Sequence, residues 1–208
     1  MTKLHCDVFY DFSWPFVYNA AVWLDEVKKS IGDDIKINWR NFSLEQINYK
    51  GDDDWKVWEV SDFTQTKALM ASIAGEAAKL QGEEAFNKFF LNLLKKRHEQ
   101  RVPLNDNGIF IDVAFECGLD VDKFKKDILD PELVNIIAED HQDASKTHGA
   151  FGTPTFLFNN GQSIYLKTFI PPLEDSLEAF EHFVGLFSER SYFGEVKRPQ
   201  PPWPKGAI

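Results

Sequence analysis

The sequence predicts an α/β fold in which a β-α-β unit and a β-hairpin-α unit are separated by a block of helices. Three observations carry that reading. Leu4 to Tyr10 alternates in the manner of a strand, with Leu4, Cys6, Val8 and Tyr10 on one face and His5, Asp7 and Phe9 on the other. Apolar residues then recur at helical spacing over a block of about a hundred residues that contains no strand pattern. Finally, Asn160-Gly161 joins two short apolar runs, which is the signature of a tight hairpin.

Taken in order, the first strand ends at Tyr10 and a helix starts around Pro15. Phe16, Ala20, Trp23, Leu24, Val27 and Ile31 form its apolar stripe, and Gly32 stops it. Ile35 to Phe42 reads as a second strand. A strand, a helix and a strand of these lengths make a βαβ unit, so the two strands should be parallel. Residues 45 to 63 read as an irregular loop with two tryptophans, Trp55 and Trp58, serving either as a lid or as a flap packed on the helices.

The helical block follows. Leu69, Ile73, Ala77 and Leu80 form one stripe, and Phe86, Phe89, Phe90, Leu93 and Leu94 the next. Phe110, Val113, Ala114 and Cys117 mark a third helix, and Phe124 and Ile128 a short fourth. Asp130-Pro131 opens the last one, with Leu133, Ile137, His141, Ala144 and His148 along one side. Thr155 to Phe158 and Ser163 to Lys167 are the hairpin strands. A final amphipathic helix uses Leu173, Leu177, Phe180, Phe183, Val184 and Phe187. The expected division is 1–45 and 150–190 for the sheet domain, 64–149 for a helical insertion domain, and 191–208 for an extended tail with Pro199, Pro201, Pro202 and Pro204.

The chain has 208 residues, 43% hydrophobic and 27% charged, so a packed core is expected rather than disorder. A net charge of −10 argues against a nucleic-acid or anionic-membrane partner, because no broad basic field is present to replace counterions. No apolar run approaches membrane-spanning length, and the first residues show no apolar signal segment. A cytoplasmic location is expected. Two cysteines, Cys6 and Cys117, are too few and too far apart for a disulfide framework or a metal motif.

Asp11-Phe12-Ser13-Trp14-Pro15-Phe16-Val17-Tyr18 resembles the Cys-Pro-x-Cys turn of the DsbA-like thioredoxin superfamily, and Gly152-Thr153-Pro154-Thr155-Phe156 is similar to its cis-proline loop. The order of elements extends the resemblance over nearly the whole chain. It implies a thioredoxin fold (βαβ … ββα) interrupted by an all-helical insertion domain. The superfamily includes FrnE-type oxidoreductases, 2-hydroxychromene-2-carboxylate isomerases and kappa-class glutathione transferases. By position, Trp14 stands where the oxidoreductases place the nucleophilic cysteine and the other two groups typically place serine. Val17 stands where the resolving cysteine would be, and Ser13 lies one residue before Trp14.

Thiol–disulfide exchange needs an attacking thiolate and usually a second thiol. Indole and isopropyl groups supply neither. Cys6, in mid-strand, and Cys117, on an apolar helix face, read as buried structural residues. The expected site is therefore a binding cleft of Ser13, Trp14, Pro15, Val17, Thr153 and Pro154, with Ser13 the one catalytic candidate, either donating to a bound thiolate or simply capping the helix. Asp11 near the same end would favour a protonated partner or serve as a cap.

Three functions follow from the resemblance. One is a DsbA-family protein of oxidoreductase ancestry that binds a small-molecule thiol, peptide or other small ligand without dithiol chemistry. Another is an isomerase or transferase using bound glutathione and Ser13. The third is a non-catalytic interaction module, with a homodimer among the options. No cofactor other than glutathione is implied. Elsewhere, His141 and His148 are placed to approach the site or to pack. His98 is expected at a solvated helix end. Asp52-Asp53-Asp54 lacks EF-hand spacing, and no metal site is expected.

Overall fold

The structure is a computed structural model describing residues 4–197. The four prolines expected in the tail lie outside the described residues. Four strands form one mixed sheet in the order β2-β1-β3-β4. They are β1 (Leu4–Tyr10), β2 (Ile35–Asn41), β3 (Thr155–Phe158) and β4 (Ser163–Tyr165). β1 and β2 run parallel, from Leu4 opposite Ile35 to Tyr10 opposite Asn41. β3 is antiparallel to both β1 and β4. The long connection between β1 and β2 is helix α1 (Pro15–Ile31), as a parallel pair requires.

Helix α1 begins with proline at its first position, carries Lys28 and Lys29 in its last turn and ends at Gly32, whose φ of 59° suits a residue without a side chain. Its buried face includes Val17, Ala20, Leu24 and Val27. Full burial of each larger side chain stabilises by about 1.5–3 kcal/mol before conformational entropy is counted. Trp23 reaches the last helix, α8 (Ser176–Phe187), packing edge-on to Phe180 and Phe183 and donating Nε1–H to the Ser176 carbonyl at 2.8 Å.

Between β2 and β3 lie α2 (Leu44–Ile47), α3 (Leu69–Lys79), α4 (Glu83–Glu99), α5 (Asn107–Glu116), α6 (Val121–Asp127) and α7 (Glu132–Gln142). The main core runs without a break from the sheet into these helices. Its centre is aromatic: Tyr10, Phe12 and Trp39 all set their rings within 6.0 Å of one another or of Phe90 on α4. A second cluster joins Phe9, Phe42, Ala144 and Ala150. The far half of β1 is thus buried on both faces, and the polar alternation expected for Phe9's face stops at Asp7.

Several expectations need correction. The segment 45–63 is not wholly irregular: it starts inside α2, where Ser43 Oγ accepts from Gln46 N, and contains a 3-10 turn at Val57–Glu59. Trp55 stacks on Tyr49 with centroids 4.0 Å apart, and both tryptophans remain half-buried. Helix α7 ends at Gln142 and passes into a π-helical turn, Asp143–Thr147, so His148 lies beyond it. Cys117 is a half-exposed helix terminus and not a buried stripe residue. β4 stops at Tyr165, and Leu173 is 70% exposed because α8 begins only at Ser176.

Candidate functional site at the start of α1

The chain leaves β1 at Tyr10 and turns through Asp11, Phe12 and Ser13. Trp14 N donates to Asp11 O at 3.1 Å and Val17 N to Trp14 O at 3.0 Å, which closes the turn onto the helix. Asp11 is buried and is the hub of the turn. Its Oδ1 accepts from Ser13 N at 2.8 Å and Ser13 Oγ at 2.6 Å, and its Oδ2 accepts from Leu44 N at 2.8 Å. Burial pushes the Asp11 carboxyl up, and these hydrogen bonds oppose that rise.

This settles two expectations. Ser13 does not cap α1, because the helix has no side-chain cap and its N-cap residue is Trp14. The Ser13 proton is directed at Asp11. Asp11 in turn caps the turn and anchors the start of α2; it is not aimed at a partner in the cleft. The 17-residue α1 has no acidic residue in its first turn and no side-chain cap, and the Asp11 carboxylate ahead of it is engaged by Ser13 and Leu44.

Phe12, fully buried, holds the turn down, and His98 holds its carbonyl. His98 Nε2 lies 2.9 Å from Phe12 O, and since a carbonyl only accepts, Nε2 carries the proton. His98 is buried, not solvated as the sequence suggested: the last turn of α4 packs under the Asp11–Trp14 turn. Burial pushes its pKa down to about 4. Its ring stacks on Tyr18, whose hydroxyl donates to Glu99 Oε1 at 2.5 Å.

Val17 is fully buried in the main core, whereas Trp14 is half-buried at the rim. Trp14 Nε1 is shielded from solvent and has no hydrogen-bond partner. Above its ring sits the Lys167 ammonium, 5.3 Å from the Trp14 centroid, 5.6 Å from Phe16 and 5.9 Å from Tyr165. Asn19 Nδ2 donates to Thr168 O at 2.9 Å and fixes this segment against α1. Lys167 went unrecognised in the sequence. The only signal available was a lysine just past a hairpin strand, whose proximity to Trp14 and Phe16 is a long-range contact.

The second motif lies at the same end of the sheet. Phe9 pairs with Thr155, and continuing that antiparallel register sets Pro154 opposite Tyr10 and Thr153 opposite Asp11. The Thr153–Pro154 peptide is cis. Leu166 N donates to Pro154 O at 3.1 Å, and Thr155 Oγ1 to Gly152 O at 2.8 Å. Thr153 is fully buried with its Oγ1 unpartnered. A Cβ at Gly152 would sit 3.1 Å from the Tyr165 ring, so a side chain here would have to push that ring aside by a few tenths of an ångström. The fold therefore brings together Ser13, Trp14, Pro15, Thr153 and Pro154. Val17 is in the same turn but faces the core.

The other candidates stay apart from this cluster. His141 is buried, accepts from Ser43 N through Nδ1 at 3.1 Å, and has its pKa pushed down to about 4 by burial. His148 lies beside Phe9 and 3.5 Å from Asp143. Asp52 Oδ1 accepts from Asp54 N within an exposed turn. Among the described residues no group of three or more His, Cys, Asp or Glu could hold a metal ion. Burial raises the pKa of both thiols, Cys6 far more than Cys117.

One mixed β2-β1-β3-β4 sheet, with a cis-proline loop facing the start of the first helix, is the arrangement of a thioredoxin-like fold. Residues 5–183 match the family model of the DSBA-like thioredoxin domain, and the chain belongs to that family. Its cysteines are not in a Cys-x-x-Cys arrangement. It is 26% identical over 197 residues to the uncharacterized protein Rv2286c of Mycobacterium tuberculosis, covering 94% of this chain and 82% of that one. It superposes on a probable DsbA oxidoreductase of Streptomyces coelicolor with a TM-score of 0.62, at 14% identity, covering 96% of this chain and 94% of the other. It superposes on a 2-hydroxychromene-2-carboxylate isomerase also at 0.62, with 17% identity and coverage of 87% and 94%. At such identities the structural likeness speaks for the fold alone. Among the described residues no helix is long and apolar enough to cross a membrane.

Proposed function

We propose that this DSBA-like protein binds a small-molecule thiol or an extended peptide between the start of α1 and the Thr153–Pro154 loop, and does not carry out dithiol exchange. The observation that carries this reading is the pairing of an intact frame with altered side chains. The uncapped helix end and the cis-proline loop lie at one end of the sheet, while Trp14 and buried Val17 occupy the turn. An extended ligand would pair with the Thr153 backbone, and a thiolate or carboxylate would meet the helix end and Lys167. Cys6 and Cys117 are poor replacements, since burial favours the neutral thiol at each.

A glutathione-dependent isomerase or transferase using Ser13 is the second reading, favoured by the fold likeness to the 2-hydroxychromene-2-carboxylate isomerase. It ranks lower because the Ser13 hydroxyl would first have to leave its 2.6 Å bond to Asp11. The two are separated by titrating glutathione and an extended peptide by calorimetry, alongside insulin-reduction and glutathione-dependent isomerase assays. Saturable binding weakened by Trp14→Ala, with no turnover, supports the first. Turnover abolished in Ser13→Ala selects the second, and cysteine-dependent insulin reduction would overturn both.

A further inference from the structure

We propose a second binding site, for a neutral apolar small molecule, in a cavity of about 530 Å³ between α3, the start of α5, the α6–α7 connection and the segment around Trp58. This is the size range of pockets that enclose drug-sized ligands. Its apolar walls are Trp58, Phe63, Met70, Ile73, Leu129 and Val134. Met70 and Ile73 are almost wholly buried and form a floor, while Leu129, 75% exposed, stands at the rim. A leucine left in water beside an apolar hollow gains free energy when a ligand covers both.

The chemistry of the occupant follows from the charges. The lining includes no lysine or arginine and one carboxylate, Asp130. Asp130 Oδ1 accepts from Glu132 N in the first turn of α7, so the positive helix end offsets it locally. The site therefore offers an anion no cationic side chain, and the chain's charge of −10 repels it further. A cation gains little from a carboxylate already engaged. A neutral molecule is left as the match. Its polar group would meet the amides of Asn107 and Asn135 at the mouth, and Trp58 supplies an indole donor beside the apolar walls.

This site is distinct from the cleft at the start of α1, since none of Ser13, Trp14, Pro15, Thr153 or Pro154 lines it. One path links the two. Trp58 packs on His141 at 5.4 Å, His141 accepts from Ser43 N, and the next amide, Leu44 N, donates to Asp11.

The test titrates the full chain with N-phenyl-1-naphthylamine, a neutral fluorescent lipophile, and with its anionic relative 8-anilinonaphthalene-1-sulfonate. One neutral probe should bind per chain, at least about tenfold more tightly than the sulfonate, since each factor of ten is about 1.4 kcal/mol. Val134→Trp places a bulky ring in the cavity and Leu129→Asp charges its rim, and each should weaken the neutral probe at least about tenfold on the same scale. Leu129 is exposed, so Leu129→Asp keeps the test valid if Val134→Trp misfolds by circular dichroism. The proposal is overturned if neither folded variant weakens binding, if both probes bind alike, or if Trp14→Ala abolishes binding, which would put the probe in the other cleft. Sedimentation showing a dimer that Leu129→Asp dissociates would also overturn it, by making a second copy the occupant.

Discussion

The cleft at the start of α1 and the cavity between α3 and α7 are built on opposite principles. The cleft is a meeting of backbones: a helix end, a cis-proline loop and a turn pinned by Asp11. The cavity is a gap between side chains from residues 58–73, Asn107 and residues 128–135. Backbone geometry depends little on individual side chains, and here it sets the outline of the proposed cleft around Trp14. A cavity has no such frame, and one large side chain changes its outline.

The largest test of this contrast removes the packing beneath the turn. Phe12→Ala should destabilise the protein by about 3–5 kcal/mol, because the residue is fully buried among Tyr10, Phe90 and the close backbone of Gly75. Urea denaturation measures this, and a cost below about 1 kcal/mol, the level of conservative core swaps, would mean that the turn stands without it.

Asp11→Ala should cost less, about 1–3 kcal/mol in all, because Ser13 and Leu44 are only partly buried and their freed donors can turn to water. Asp11→Asn separates charge from shape. The folded-state pKa of Asp11 is raised, so the folded protein holds its proton more tightly than the unfolded chain does. Stability from this residue is present below the unfolded value of 3.8 and is lost as pH rises through the folded value. Asp11→Asn should flatten that part of a stability–pH profile, and an unchanged slope would show that the carboxyl does not titrate differently on folding.

His98 and His141 act in the opposite sense. Both are depressed from 6.5 to about 4, so the unfolded chain takes up protons first and stability falls as pH drops from 6.5 towards 4. His98→Gln and His141→Gln should each reduce the acid sensitivity of the melting temperature. Because only His98 touches the turn, only His98→Gln should also alter ligand binding in the cleft.

The smallest effect is expected from Lys167→Met. Loss of an exposed cation–π contact should change stability by about 0.5–1 kcal/mol. Affinity for an anionic ligand in the cleft should fall more than affinity for a neutral one. Equal losses for both would make Lys167 a packing residue only.

The same contrast explains what the sequence revealed. Both motifs of the cleft are local: Trp14-Pro15 marks a helix start and Gly152-Thr153-Pro154 a loop before a strand, and the alternation in β1 sets which end of the sheet they share. The parallel β1–β2 pair followed from spacing and the hairpin from the Asn160-Gly161 turn. What failed depended on tertiary contacts. His98, in Lys95-Lys96-Arg97-His98-Glu99, is surrounded in sequence by charge, yet one face of α4's last turn meets Phe12. Ser13 has the look of a cap, but buried Asp11 competes for its hydroxyl at two residues' distance. Of the cavity's walls, Ile73 and Ile128 read as ordinary helix stripes and Trp58 as part of a loop, so the sequence did not join them.

The bond from Asp11 Oδ2 to Leu44 N ties the turn to the segment that follows β2, and Asn19 ties α1 to Thr168 on the other side. The rim of the cleft is therefore braced at two points before anything enters it. If the proposed ligand enters there, walls tied in advance lower the ordering entropy that its binding costs. Cutting the brace at Asp11 would leave the turn and the start of α2 untied.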